Sequence, residues 1–271
     1  MSNPAPVLET NGAAPANVLP APKDDSLGID RAFVLQMARM PAFAVLWVLA
    51  AVAAHHAWAA LWPHGLNAGP LVVIGFGMIL AAFIDGWALK VPNWITLPLV
   101  LSGWALGALH DFQVPVDSGT GGFGMAVLGT VLGFVLLFPM LAIGGVGEGD
   151  VKMQMGFGAW VGAYFGTGDT TQAVEMGSLH GLGVVFWAFC FGAIVGGAFG
   201  LIMIVIRRRF GDNAQMVKEI GTDLALVFSM MGGVAKQRAT ERRKVWVKLP
   251  YGIPLCVGFI LYLLYMLVLM A

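Results

Sequence analysis

Seven long runs of apolar residues divide the chain, and they limit its fold more than any other feature. A transmembrane helix needs about 20 mostly apolar residues. Of the 271 residues, 58% are hydrophobic and only 11% are charged, whereas soluble domains carry about 25% charged residues. The sequence therefore predicts an all-α, polytopic membrane helix bundle. Its seven predicted spans are Pro41–Trp62, Pro70–Ile84, Ile95–Leu109, Phe123–Gly145, Val151–Phe165, Leu182–Ile206 and Ile253–Ala271.

Three segments outside these runs are predicted to have other structures. Residues 1–30 are rich in Pro, Ala and polar groups, which predicts a disordered tail. The stretch Asp30–Arg39 predicts a short interfacial helix. In residues 207–249 the apolar side chains recur every three or four positions among many basic residues, which predicts an amphipathic helix on the membrane surface. Residues 31–271 are expected to form one membrane domain.

The basic residues predict the orientation of the bundle, because cytoplasmic loops are enriched in Lys and Arg. If the chain crosses seven times, its N-terminal tail, the loop containing Lys90, the loop ending at Lys152 and the 207–249 loop share one side. The opposite loops, around His64, His110–Gly122 and Gly166–Gly181, contain no Lys or Arg. The N-terminus and the 207–249 loop are therefore predicted to be cytoplasmic.

Carboxylates are costly inside a membrane and often mark function there. Three lie within or at the ends of the predicted spans, namely Asp85, Glu148 and Asp150. Asp85 ends the second span and Asp150 opens the fifth, so both are expected at the cytoplasmic face. Two neighbouring carboxylates share a proton. The ionised member can then activate a water molecule while the protonated member donates to a peptide carbonyl.

This chemistry predicts an aspartyl peptidase with Asp85 and Asp150 as catalytic residues and with no metal or other cofactor. Each aspartate also has a simpler explanation. Asp85 could be an acid at a helix end beside Lys90, and Asp150 could cap the fifth helix through its side-chain oxygen.

Short motifs surround both aspartates. Pro92 prevents one helix from continuing through the loop after Asp85, and Asn93 is predicted to cap the third span. Lys152 lies about 200° round the helix from Asp150 and is predicted to reach the interface rather than to pair with it. The motifs read Phe83-Ile84-Asp85, Val91-Pro92-Asn93 and Gly147-Glu148-Gly149-Asp150-Val151-Lys152.

With these motifs the chain resembles the type IV prepilin peptidases, a class of GxGD membrane aspartyl peptidases, from about Pro70 to Ala271. In that family a Pro-Asn pair follows the first aspartate, and GxGDxK contains the second. A late Pro-x-Gly element also fits, here Pro250-Tyr251-Gly252. The resemblance implies that Asp85 and Asp150 are catalytic. It implies supporting or substrate-binding positions at Pro92, Asn93, Gly147, Glu148, Gly149 and Lys152.

The resemblance also implies a substrate and a location. The substrate would be a prepilin-like protein with a short basic leader before an apolar helix, cut at the cytoplasmic face of the bacterial inner membrane. Larger family members carry two CxxC pairs associated with N-methylation, whereas this chain has only Cys190 and Cys256. It is therefore similar to the short members that serve tight-adherence (Flp) pili. Glu148 is expected either to attract the basic leader or to be a turn residue.

Other functions remain open from the sequence. A small ion-coupled transporter or proton channel could use the same aspartates, although transporters place such acids near the middle of the membrane. A catalytically silent pilus-assembly protein would share the motifs. The expected partners are the prepilin, the lipid bilayer and other pilus-assembly proteins, and no nucleic acid is expected.

Overall fold

The computed structural model describes residues 31–62, 67–88, 91–114, 121–143, 145–165, 181–207 and 251–270. These ranges contain helices and no β-strand, which confirms the predicted all-α bundle. The helices are α1 (Arg31–Leu61), α2 (Gly69–Ala88), α3 (Asn93–Asp111), α4 (Phe123–Ala142), α5 (Glu148–Phe165), α6 (Gly181–Arg207) and α7 (Gly252–Met270). The predicted disordered tail and amphipathic loop helix lie outside the described residues.

In the part of the chain that the structure describes, four helices are long and apolar enough to cross a membrane, which supports an integral membrane protein. These stretches are Ala38–Leu61, Gly69–Ala88, Phe123–Ala142 and Gly181–Ile202, and the apolar stretch Gly252–Met266 is shorter. Large apolar side chains such as Phe76, Leu128 and Ile194 are exposed on their outer faces. A bundle in lipid presents such side chains outward, because lipid tails are as apolar as they are.

The prediction of a separate interfacial helix at Asp30–Arg39 is wrong. Residues from Arg31 onward are the first turns of α1, which runs through Pro41 without a break in helix. A proline removes one hydrogen bond of the helix, and membrane helices tolerate this loss better than soluble ones do. The predicted first span is therefore the later part of one longer helix.

The centre of the bundle is α5, of whose 18 residues 13 are buried. Its glycines lie directly on α4. A Cβ on Gly158 would overlap the carbonyl oxygen of Gly129, and a Cβ on Gly162 would overlap that of Met125. Small residues let membrane helices approach this closely. These glycines therefore pack within one bundle.

Aromatic stacking aligns α7 with α5. The rings of Phe157 and Phe259 are stacked, with centroids 4.3 Å apart and planes inclined by 11°. Phe157 lies seven residues, or two helical turns, after Asp150, and Phe259 lies seven residues after Gly252. The first turns of α5 and α7 are thus side by side, and α2 ends beside them.

Candidate active site

Asp85 belongs to the buried face of α2. Ile74, Met78, Ala81 and Asp85 follow one another at three- or four-residue spacing, and all are buried. This is the periodicity of a helix face that packs into a core, so it carries the carboxylate inward. The backbone N–H of Gly252 donates a hydrogen bond to Asp85 Oδ2 at 3.0 Å. The start of α7 thus binds the end of α2.

Asp150 is the third residue of α5 and is also buried. The backbone N–H of Gly147, just before the helix, donates to Asp150 Oδ2 at 3.1 Å. A side chain at this position commonly reaches back to such a donor and fixes the helix start. Asp150 therefore stabilises the first turn of α5 with one oxygen. Its other oxygen, Oδ1, is buried with no hydrogen-bond partner among the described residues.

The two aspartates meet at Gly252. A Cβ on Gly252 would lie 2.9 Å from Asp85 Oδ2 and 3.3 Å from Asp150 Oδ1. Oxygens of both carboxylates therefore face the same position, where α2, α5 and α7 come together. Ionising two buried carboxylates that face one position is costly, which favours one proton shared between them. The structure brings together the pair that the sequence predicted.

The motifs beside the two aspartates also contact each other. A Cβ on Gly149 would lie 2.8 Å from the Cβ of Val91 and 3.1 Å from its backbone nitrogen. Only a residue without a side chain allows the start of α5 to lie this close to the loop before α3. Lys152 Nζ donates a hydrogen bond to Asn93 Oδ1 at 2.9 Å. Two contacts thus join the segments that carry the aspartates.

The predicted cap at Asn93 is wrong. The residue before the first turn of α3 is Pro92, and no side chain caps this helix end. The carbonyl of Pro92 accepts from the N–H groups of Ile95 and Thr96 at 3.1 and 3.4 Å. The side chain of Asn93 instead binds Lys152, a residue 59 positions away.

The remaining predicted positions lie around the pair. Lys152 donates a hydrogen bond to Asn93. Glu148 is the first residue of α5 and is exposed, where a negative charge is favourable because it faces the positive end of the helix dipole. Among the described residues, no group of three His, Cys, Asp or Glu side chains is arranged to hold a metal ion.

Sequence comparison places these motifs in a known family. The model of the type IV leader peptidase family matches residues 71–201, a range that contains both aspartates and the motifs beside them. Over that range the chain is similar to this family. A prepilin leader peptidase/N-methyltransferase of Neisseria gonorrhoeae is 33% identical over 111 residues, covering 37% of this chain and 36% of that protein. No solved structure matches significantly.

A tyrosine completes the surroundings of the two aspartates, although the predicted site residues did not include it. Tyr251 immediately precedes Gly252, and its hydroxyl oxygen would lie 3.4 Å from a Cβ on Gly196 of α6. Burial, with the nearby charge of Asp150, raises the pKa of the Tyr251 phenol. In the sequence, Tyr251 is the middle residue of the late Pro-x-Gly element, and that element could have indicated this position. Its Pro250 lies outside the described residues.

The contact between Lys152 and Asn93 predicts a measurable effect on the aspartate pair. We expect Lys152→Met or Asn93→Ala to lower cleavage about tenfold, because small displacements of reacting groups are costly. The double variant should be no worse than either single one, since both remove one interaction. Rates measured at saturating prepilin, with unfolding midpoints as a control, test this expectation. Additive losses in the double variant would contradict it.

Proposed function

We propose that this protein is an intramembrane aspartyl endopeptidase that removes the leader of type IV prepilin-like precursors, of the Flp type, at the cytoplasmic face of the bacterial inner membrane. One observation carries the proposal, namely that Asp85 of α2 and Asp150 of α5 are both buried and both face Gly252. The match of residues 71–201 to the type IV leader peptidase family supports it.

The geometry supports a mechanism in which the pair holds one proton. A water molecule between the carboxylates loses a proton to the ionised member, and its oxygen attacks the scissile carbonyl carbon. The protonated member donates its proton to the carbonyl oxygen. When the resulting tetrahedral intermediate collapses, the carbon–nitrogen bond breaks and the leaving amine takes up the proton of the protonated aspartate, while one hydroxyl of the intermediate gives its proton to the other aspartate, so that the pair again holds one proton. The N–H groups of Gly252 and Gly147 hold Asp85 Oδ2 and Asp150 Oδ2 in place throughout.

The position of the pair along the helices supports cleavage at a membrane edge. Asp85 lies three residues before the end of α2, and Asp150 is the third residue of α5. In a prepilin, the leader lies outside the membrane and the apolar helix lies inside it, so the bond between them would lie at the same membrane edge as the two aspartates. Because cytoplasmic loops are rich in basic residues, the Lys and Arg of the adjoining loops and of the 207–249 segment support the cytoplasmic side.

The proposal covers leader removal. The curated relative has N-methyltransferase in its name, but the matched stretch spans only 36% of that protein, so methylation is not proposed here. The Flp type is proposed on the resemblance to the short members of the family described above.

An ion-coupled transporter fits the geometry less well. Its ion-binding carboxylates would be expected near the middle of the membrane, at broken helices. Here both acids lie in end turns of helices, and the backbone N–H groups of Gly252 and Gly147 bind them. These donors satisfy carboxylate oxygens that a cation would otherwise need.

The proposal is tested by incubating the purified protein, reconstituted in lipid, with a Flp-type prepilin that contains its leader. Mass spectrometry should find one cut between the leader and the apolar helix. The mature pilin without its leader is the matched control and should stay intact. An unchanged prepilin across several Flp-type substrates would reject the peptidase function and favour an assembly role.

A further inference from the structure

A glutamine side chain of α5 is buried without a partner in the described part of the chain. Gln154 is fully buried, and neither Oε1 nor Nε2 has a hydrogen-bond partner among the described residues. A buried primary amide without hydrogen bonds is costly. Such groups are rare in native proteins and call for an explanation. The proposed mechanism does not use this side chain.

Its position relates Gln154 to the aspartate pair. Gln154 follows Asp150 by four residues, so the two side chains lie on the same face of α5, one turn apart. This separation amounts to about 6 Å along the helix axis. Asp150 Oδ1 on that face is also buried without a partner in the described parts of the chain. Buried polar atoms without a partner among the described residues therefore lie both at Asp150 and one helical turn further into the bundle, at Gln154.

The proposed substrate has backbone peptide groups that need hydrogen-bond partners inside the membrane. A peptidase acts on an extended backbone, so the residues next to the scissile bond cannot keep their helical hydrogen bonds. Inside a membrane no water replaces those bonds. A primary amide has one acceptor oxygen and two donor hydrogens, so it can pair with both the N–H and the C=O of a peptide.

We propose that Gln154 binds a backbone peptide group of the substrate, on the side of the scissile bond that leads into the apolar helix. The inference rests on the proposed peptidase function. In the substrate-free protein the amide is enclosed and has no partner among the described residues, and substrate binding supplies its hydrogen bonds. Since only the bound state has these bonds, the cost of burying Gln154 is offset in the complex alone.

Replacing Gln154 by methionine separates this role from a purely structural one. Gln154→Met keeps the length of the side chain and removes its polar atoms. We expect the unfolding midpoint to rise, because an unsatisfied buried amide is removed. We expect KM for the prepilin to rise about tenfold, because about two hydrogen bonds to the substrate are lost. A higher stability together with a weaker activity is the signature of this role.

Thr96 offers a matched control. It is also fully buried, and its Oγ1 lacks a partner in the described ranges, but it belongs to α3 rather than to the face of Asp150. Thr96→Val should raise the unfolding midpoint and leave KM unchanged. If Gln154→Met behaves like this control, Gln154 has no part in substrate binding. If Gln154→Met lowers the unfolding midpoint, its amide has a partner within the protein. Either result overturns the inference.

A cross-link tests the position directly. In a chain with Cys190→Ser and Cys256→Ser, we would combine Gln154→Cys with Asp85→Asn, so that substrate binds without being cut. Single cysteines are placed along the prepilin on both sides of the scissile bond. Disulfides should form with the first residues after that bond. Absence of such disulfides, or disulfides with the leader alone, would overturn the inference.

Failure of this inference and failure of the proposed function give different experimental results. A protein that cleaves prepilin normally after Gln154→Met remains a peptidase, and only the role of Gln154 is lost. If the unmodified protein cleaves no prepilin, the peptidase proposal itself fails before any variant is compared.

Discussion

Asparagine in place of either Asp85 or Asp150 is expected to lower prepilin cleavage by about 10³-fold or more, since general acid–base groups contribute about 10²- to 10⁴-fold. An amide cannot share a proton between two oxygens or accept one from the attacking water. The substitution nearly preserves the shape of each side chain. Its remaining oxygen can still accept from the N–H of Gly252 in one case, or of Gly147 in the other.

The measurement is kcat/KM for leader removal, with the amount of folded protein in the membrane determined for each variant. Asp111→Asn is the matched control, because Asp111 is an exposed carboxylate at the end of α3, and asparagine keeps an oxygen that can accept from the N–H of Phe123. It should cleave within about threefold of the unmodified protein, since an exposed charge interacts weakly. If either aspartate variant cleaves as fast as this control, the two-aspartate mechanism is wrong.

The pairing of the two aspartates could be predicted from sequence because it depends on topology. Counting spans and basic loops places the end of α2 and the start of α5 on one side of the membrane. The buried periodicity of Ile74, Met78 and Asp85 then turns the first carboxylate inward. These inferences need only helix geometry and the preference of basic residues for one side.

The partners of the supporting residues could not be predicted in this way. Lys152 was expected at the interface and Asn93 at a helix cap, yet the two side chains bind each other. A contact between residues 59 positions apart depends on how α3 packs against α5. Helical periodicity gives the face on which a side chain lies, but not the neighbour that it meets there.

Gln154 shows a different kind of omission. The sequence prediction searched the apolar runs for carboxylates, because an ionised group in a membrane is so costly. An uncharged amide between Met153 and Met155 does not interrupt an apolar run and therefore gives a weaker signal. Burial without a hydrogen-bond partner, which distinguishes Gln154, is visible only in three dimensions.

Alanine at position 252 is expected to lower cleavage about 10²-fold while the protein stays folded. Its Cβ would lie 2.9 Å from Asp85 Oδ2 and 3.2 Å from Asp85 Cβ, as well as 3.3 Å from Asp150 Oδ1. The first contact is closer than real Cβ atoms allow, so the carboxylate must move. A displacement of about 1 Å at reacting groups can cost about 10²-fold in rate. The methyl group would also occupy the space that both carboxylates face, where water and the scissile peptide must bind.

The control for Gly252→Ala is Gly75→Ala on α2, the helix that carries Asp85, because a Cβ on Gly75 meets nothing within 4 Å. That variant should cleave normally and be slightly more stable, since alanine favours a helix over glycine by up to about 1 kcal/mol. Gly252→Ala should lower kcat more than it raises KM, because it disturbs the reacting groups rather than the binding of the apolar helix. Normal kcat in Gly252→Ala would mean that the carboxylates do not act across Gly252, and the arrangement proposed for catalysis would have to be abandoned.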